Sequence, residues 1–237
     1  MKKAVLFDLG GTLVEYYTRG VFPGSLEEAI DEVEGYLRHL DLLRVPPAAL
    51  WQRVRDEDHE AGDLRVRPLE GRLIRIFQLG DANCAVAQPV SGDLVAEMCR
   101  RFLKPILARG RRHGDALPAL QKLTAAGLQT AIVSNTPWGS PADLWREEVE
   151  RQGLSVQAVV TCRDAGWRKP ARQIFEFALE LLGTSPQESL FVGDDPRWDV
   201  LGPKEMGMEA ILIDRQGTMA GSRESTIRGL EELWDRL

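Results

Sequence analysis

The stretch Ala4-Val5-Leu6-Phe7-Asp8-Leu9-Gly10-Gly11-Thr12-Leu13 decides the fold. Four apolar residues in a row, with no polar alternation, describe a strand covered on both faces, as in the middle of a parallel sheet. Asp8 ends the run and Gly10-Gly11 breaks it at once, so a carboxylate stands where the strand stops. Short apolar runs of the same kind return only much later, at 131–133, 156–160, 190–192 and 210–213. Between them, 117–126, 142–152 and 171–182 carry helical patterns, each followed by a glycine (Gly127, Gly153, Gly183), the common helix stop. Strands alternating with helices predict an α/β fold, a Rossmann-like parallel sheet with right-handed crossovers.

The segment between the first run and the second reads differently. Apolar residues recur at helical spacing over 26–43, 47–60, 68–79 and 93–104, with no β-branched run among them. Four helices are therefore expected as an insert at 15–112, with 1–14 and 113–237 forming the core and the basic stretch 109–114 as the return linker. A length of 237 residues fits one core plus an insertion.

Hydrophobic residues make up 43% and charged residues 28%, the balance of a soluble globular protein. A formal charge of −6 argues against nucleic acid as the partner. No apolar run nears the ~20 residues of a membrane span. The N-terminal run stops at Asp8, too early for a signal sequence. Cys84, Cys99 and Cys162 are odd in number and lack metal-like spacing, so they read as reduced, buried thiols. The expected setting is cytoplasmic. His39, His59 and His113 read as surface residues, and Arg65, Arg67, Arg72 and Arg75 as a solvated helix face. Trp138, Trp167 and Trp198 read as loop packing rather than a substrate wall.

Three strand ends finish on polar residues: Asp8, then Ser134-Asn135, then Asp194-Asp195. Open parallel sheets bind ligands beyond the carboxyl ends of their strands, so these residues are expected to converge. Lys169, just ahead of a helix, can reach the same edge, and Asp199 follows Asp194 closely. Carboxylates ~4 Å apart repel by ~4 kcal/mol at an effective dielectric of about 20, so the group needs a counter-cation or protons. Oxygen ligands without His or Cys suit Mg²⁺. With the metal, Lys169 and the Ser134 hydroxyl offsetting the charge of a phosphoryl group, Asp8 is placed to attack phosphorus.

FDLGGTL (7–13), AIVSN (131–135), WRKP (167–170) and FVGDDPRWD (191–199) resemble, in that order, the four motifs of the haloacid dehalogenase-like hydrolases. The resemblance implies a nucleophile at Asp8 and a phosphate-binding hydroxyl at Ser134, with Asn135 and Gly11 beside it in the substrate site. Lys169 would neutralise both phosphoryl group and nucleophile. Asp8, Asp194 and the Gly10 carbonyl would hold Mg²⁺, supported by Asp195 and Asp199 through water. The insert would be a cap that covers the site and selects small phosphorylated molecules, hydrolysed through an aspartyl phosphate. Phosphatases of this family carry a second Asp two positions after the nucleophile, as general acid and base; here that position is Gly10. The proton must then come from Asp195, from a cap residue or from the substrate, and activated esters become the easiest substrates. Two other readings stand beside this one. A 2-haloacid dehalogenase needs no general acid, and a binding or regulatory relative needs no turnover.

Overall fold

The computed structural model describes residues 2–16, 22–57, 62–80, 90–218 and 225–237; His59, Glu60 and Cys84 lie outside these. The opening apolar run forms strand β1 (Ala4–Phe7), all four residues fully buried. A short β2 (Val14–Glu15) follows, then helices α1 (Phe22–His39), α2 (Pro47–Glu57), α3 (Leu69–Ile76) and α4 (Gly92–Ala108), then β3 (Arg111–Arg112). The rest alternates as α5 (Ala116–Ala125), β4 (Gln129–Ser134), α6 (Ala142–Arg151), β5 (Ala158–Thr161), α7 (Cys162–Ala165) and α8 (Arg172–Leu182). It closes with β6 (Ser189–Gly193), α9 (Gly202–Glu205), β7 (Glu209–Ile213) and β8 (Thr226–Ile227).

Six strands form one parallel sheet in the order β5-β4-β1-β6-β7-β8. From β1 the chain moves outward through β4 to β5, then returns to place β6 on the other flank of β1. The direction of winding therefore reverses between β1 and β6, and the crevice outside the carboxyl ends of such a pair is where open α/β sheets bind ligands. Asp8 and Asp194 are the first residues beyond those two strands. Alternation along β1 supplies both cores: Val5 and Phe7 join the side that includes α5 and the insert, Ala4 and Leu6 the side covered by α8.

The four insert helices lie between β2 and β3, which pair antiparallel with Val14 opposite Arg112 and Glu15 opposite Arg111. The stretch expected as a plain return linker thus contains a strand, and the two ends of the insert leave the core as one ribbon. Helix α1 buries Ala29, Ile30, Val33 and Leu37 along one stripe, and α4 answers with Met98, Cys99, Phe102 and Ile106. Helix α1 stops at His39 rather than reaching 43, because Asp41 turns left-handed at φ 56°. Helix α4 continues past Lys104 through Pro105, which sacrifices one backbone donor inside the helix.

The arginines do not all face solvent. Arg72 is buried beneath the insert, its guanidinium donating to the Arg67 and Glu57 carbonyls and lying 5.3 Å from the Trp138 ring. Trp138 packs on Phe102, and Trp167 lies under Arg65 at 4.1 Å. A second attachment joins insert to core here: Val66 N–H donates to the Gly166 carbonyl at 3.1 Å and Arg168 N–H to the Leu64 carbonyl at 2.9 Å. This antiparallel bridge ends one residue before Lys169. Among the described residues no helix is long and apolar enough to cross a membrane.

Candidate active site

Asp8 N–H donates to the Val192 carbonyl at 2.9 Å, extending the β1–β6 ladder by one residue and fixing the carboxylate at the mouth of the crevice. The chain then turns sharply: Leu13 and Val14 both donate to the Leu9 carbonyl, and Gly11 N–H donates to the Val14 carbonyl. Gly11 is required twice. Its φ is +79°, and a Cβ there would sit 2.5 Å from Asp194 Oδ2. Its N–H is engaged inside the turn, so what Gly11 gives the site is room for Asp194. Gly10 bridges back to Val14.

Lys169 is almost wholly buried, with Nζ 2.6 Å from both Asp8 Oδ1 and Asp199 Oδ1. Burial alone would lower its pKa; the carboxylates of Asp199 and Asp8 outweigh that and hold it above the usual lysine value. Burial pushes Asp199 up to about 6 against the pull of Lys169. The two shifts have different causes: neighbouring carboxylates favour the charged form of Lys169, whereas loss of solvation favours the neutral form of Asp199. Asn135 grips the Lys169 backbone on both sides, accepting from its N–H at 2.8 Å and donating to its carbonyl at 3.1 Å. Expected as a substrate contact, Asn135 also lines the cleft, but its amide is engaged in placing Lys169.

Asp8, Asp194 and Asp199 bring carboxylate oxygens within 4.8 Å of one another. Asp195, expected among the metal-supporting residues, is not in this trio. Its carboxylate caps a π-helical turn (Pro196–Leu201) by accepting from Arg197 N–H at 2.7 Å and Trp198 N–H at 3.0 Å. The wide turn returns Asp199 to the site, where Oδ2 accepts from Asp195 N–H at 3.0 Å. The donor set, hard oxygens sharing one ammonium, fits a divalent cation such as Mg²⁺. Asp199 is engaged by Lys169 and by the Asp195 backbone, and Asp8 by Lys169.

These groups line a cleft of about 290 Å³, with Asp8, Gly10, Gly11, Ser134, Asn135, Lys169 and Asp194 along it. Its other walls are Glu15, Tyr16, Pro137, Trp145, Trp198 and the segment 213–216 with Thr218, most of which motif reading missed. No described residue of α1–α4 lines it. Tyr16 donates to Glu148 Oε1 at 3.2 Å and meets Trp145 edge-on at 5.6 Å. Burial first, and Glu148 second, hold its phenol well above the usual range. A Cβ added at Gly10 would have Tyr16 Cδ2 as its nearest neighbour, at 3.7 Å, so that position has space for a side chain. His113 is not the surface residue its sequence suggested. Its Nε2 is buried without a hydrogen-bond partner, 4.0 Å from Glu15 Oε2.

The family profile of the haloacid dehalogenase-like hydrolases matches residues 2–207. The chain belongs to that family. Within it, a phosphoglycolate phosphatase from Rhodospirillum rubrum is 30% identical over 215 residues, 90% of this chain and 80% of that one. The first curated relatives, phosphatases at 30 to 33% identity, are matched over only 52 to 63% of their own length. The crystal structure of a HAD phosphatase from Thermococcus onnurineus superposes with a TM-score of 0.66 at 25% identity, covering 100% of this chain and 97% of that one. A 2-haloacid dehalogenase from Pseudomonas syringae gives 0.67 at 24% identity over 99% and 97%, a likeness of fold alone. This hydrolase family member keeps a carboxylate, a hydroxyl, a lysine and an acidic pair at the strand ends where the four motifs fall.

Proposed function

We propose that the protein is a Mg²⁺-dependent phosphatase of small phosphorylated molecules, working through an aspartyl phosphate on Asp8. The observation that carries the reading is Asp8 held 2.6 Å from a buried Lys169 beside Asp194, in a cleft that Ser134 also lines. Asp8 attacks phosphorus; Lys169 and the Ser134 hydroxyl offset charge on the phosphoryl oxygens. Asn135 keeps Lys169 in place. When bound by Asp8, Asp194 and the Gly10 carbonyl, Mg²⁺ would supply electrostatic stabilisation of that same charge. Residues 15–112 act as the cap, and the free buried thiols Cys99 and Cys162 suit a cytoplasmic setting.

Gly10 gives the dehalogenase reading one supporting observation, since halide departs without a proton. The acidic trio weighs against it, because attack on carbon needs no metal. Phosphate release from p-nitrophenyl phosphate, beside halide release from 2-chloropropionate, separates the two. The expected outcome is phosphate release that stops on chelation and in Asp8→Asn, with no halide. In calorimetry Asp194→Asn should bind Mg²⁺ far more weakly; unchanged affinity, or turnover surviving in Asp8→Asn, overturns the reading.

A further inference from the structure

The Gly10 gap raises a question the rest of the cleft answers. Breaking an alkyl phosphate ester requires a proton for the departing oxygen, and clearing an aspartyl phosphate requires a base for water. Most polar groups in the cleft are already committed. Asp195, which does not line it, caps the π-helical turn. Tyr16 donates to Glu148, and Trp145 donates to Ser140 Oγ at 2.8 Å. Asp214 accepts from Thr218 N–H at 3.1 Å. Arg215 is held by both oxygens of Asp115, at 2.8 and 3.0 Å, and by the Thr12 carbonyl at 2.6 Å.

Glu15 is different. It lines the cleft with Asp8 and Gly10, and its carboxylate, partly open to solvent, accepts no hydrogen bond from a described residue, with His113 Nε2 at 4.0 Å. The turn that bridges Gly10 to Val14 leads straight into Glu15, so that Glu15 lines the same cleft wall region as Asp8 and Gly10. We propose that Glu15 is the proton carrier of this site, replacing the group absent at Gly10; the proposal rests on the phosphatase reading above.

The step balances. As the bond from Asp8 to phosphorus forms and the ester P–O bond breaks, the leaving oxygen takes the proton of the Glu15 carboxyl. In the second step the Glu15 carboxylate accepts a proton from water while its oxygen attacks phosphorus and the bond to Asp8 breaks. Inorganic phosphate leaves and Glu15 is again protonated. The surroundings suit both states. Burial raises the Glu15 pKa and Arg215 lowers it less, since that guanidinium is taken up by Asp115. His113 faces Glu15 at 4.0 Å, and burial favours its neutral form, so it does not lock Glu15 as an ion pair. Arg111, opposite on β3, donates instead to the Ala108 and Gly110 carbonyls.

The test is a leaving-group series on the Mg²⁺-loaded full chain, comparing wild type, Glu15→Gln and the double variant Glu15→Gln with Gly10→Asp. For an alkyl ester such as glycerol 3-phosphate, Glu15→Gln should lower kcat/KM by about 10²–10⁴-fold, the usual worth of a positioned acid. For p-nitrophenyl phosphate kcat/KM should fall by less than about tenfold, while kcat falls and a burst of p-nitrophenolate appears as the aspartyl phosphate accumulates. Gly10→Asp in that background should restore alkyl-ester turnover. Equal losses for both esters, or no loss for either, overturn the proposal. Asp8→Asn separates the two failures: if it abolishes release while Glu15→Gln changes nothing, the phosphatase stands and Glu15 falls. If wild type releases phosphate from neither ester, both fall together.

Discussion

At the scale of single residues, the site is built around one cation. Lys169, like Asp199 almost wholly buried, balances Asp199 and the cleft-lining Asp8. Replacing it by methionine leaves two carboxylates facing each other without compensation. Lys169→Met should therefore cost about 3–5 kcal/mol of stability in the metal-free protein. Urea titrations with and without Mg²⁺ check this, and the ion should return part of the loss. Asp8, Ser134, Lys169 and Asp194 were legible because each stands at the end of an apolar run or in a motif. Asp199 was legible as a neighbour of the site, but its ion pair with Lys169 and the use of Asp195 as a cap were not, since both depend on a wide π-helical turn that no residue pattern announces. Glu15 was hidden because no apolar run ends at it and none of the four motifs includes it, although it lines the cleft. His113 gives a pH signature. Burial, and then Arg215, depress its pKa, so the unfolded chain binds more protons below about 6.5. The stability it contributes is present above that pH and is lost as pH falls. Melting temperatures between pH 5 and 7.5 should drop less steeply in His113→Gln than in wild type.

At the scale of elements, the alternation of apolar runs and glycine-stopped helices was enough to place most of the sheet and its coverings. It could not give the short β3 or the pairing of 64–66 with 166–168, because two-residue contacts between distant segments leave no periodicity. Nor could it show that Arg72 is buried, since charge in a helical pattern ordinarily signals a solvated face. The bridge between insert and core depends on a close approach at Gly139, whose φ is +65° and where a Cβ would stand 2.5 Å from the Arg67 carbonyl oxygen. Gly139→Ala combines backbone strain with a clash against backbone. It should destabilise the protein by about 1–3 kcal/mol or more, read from the shift in denaturation midpoint. Unchanged stability would mean that the insert is not held at this point.

At the scale of the whole molecule, the sheet order places β1 in the interior, between two strands that follow it in the chain. β1 is flanked by β4 and β6, and both of its neighbours lie far downstream in sequence. Pairings this distant close large loops and form late, after the local helices. During synthesis, then, the Ala4–Phe7 segment leaves the ribosome long before β4 and β6, the strands that pair with its two edges. A nascent chain shorter than β6 holds Asp8 without Asp194 beside it. The cleft that Asp8 lines, which includes the segment 213–216 and Thr218, is therefore completed only after most of the chain has been made.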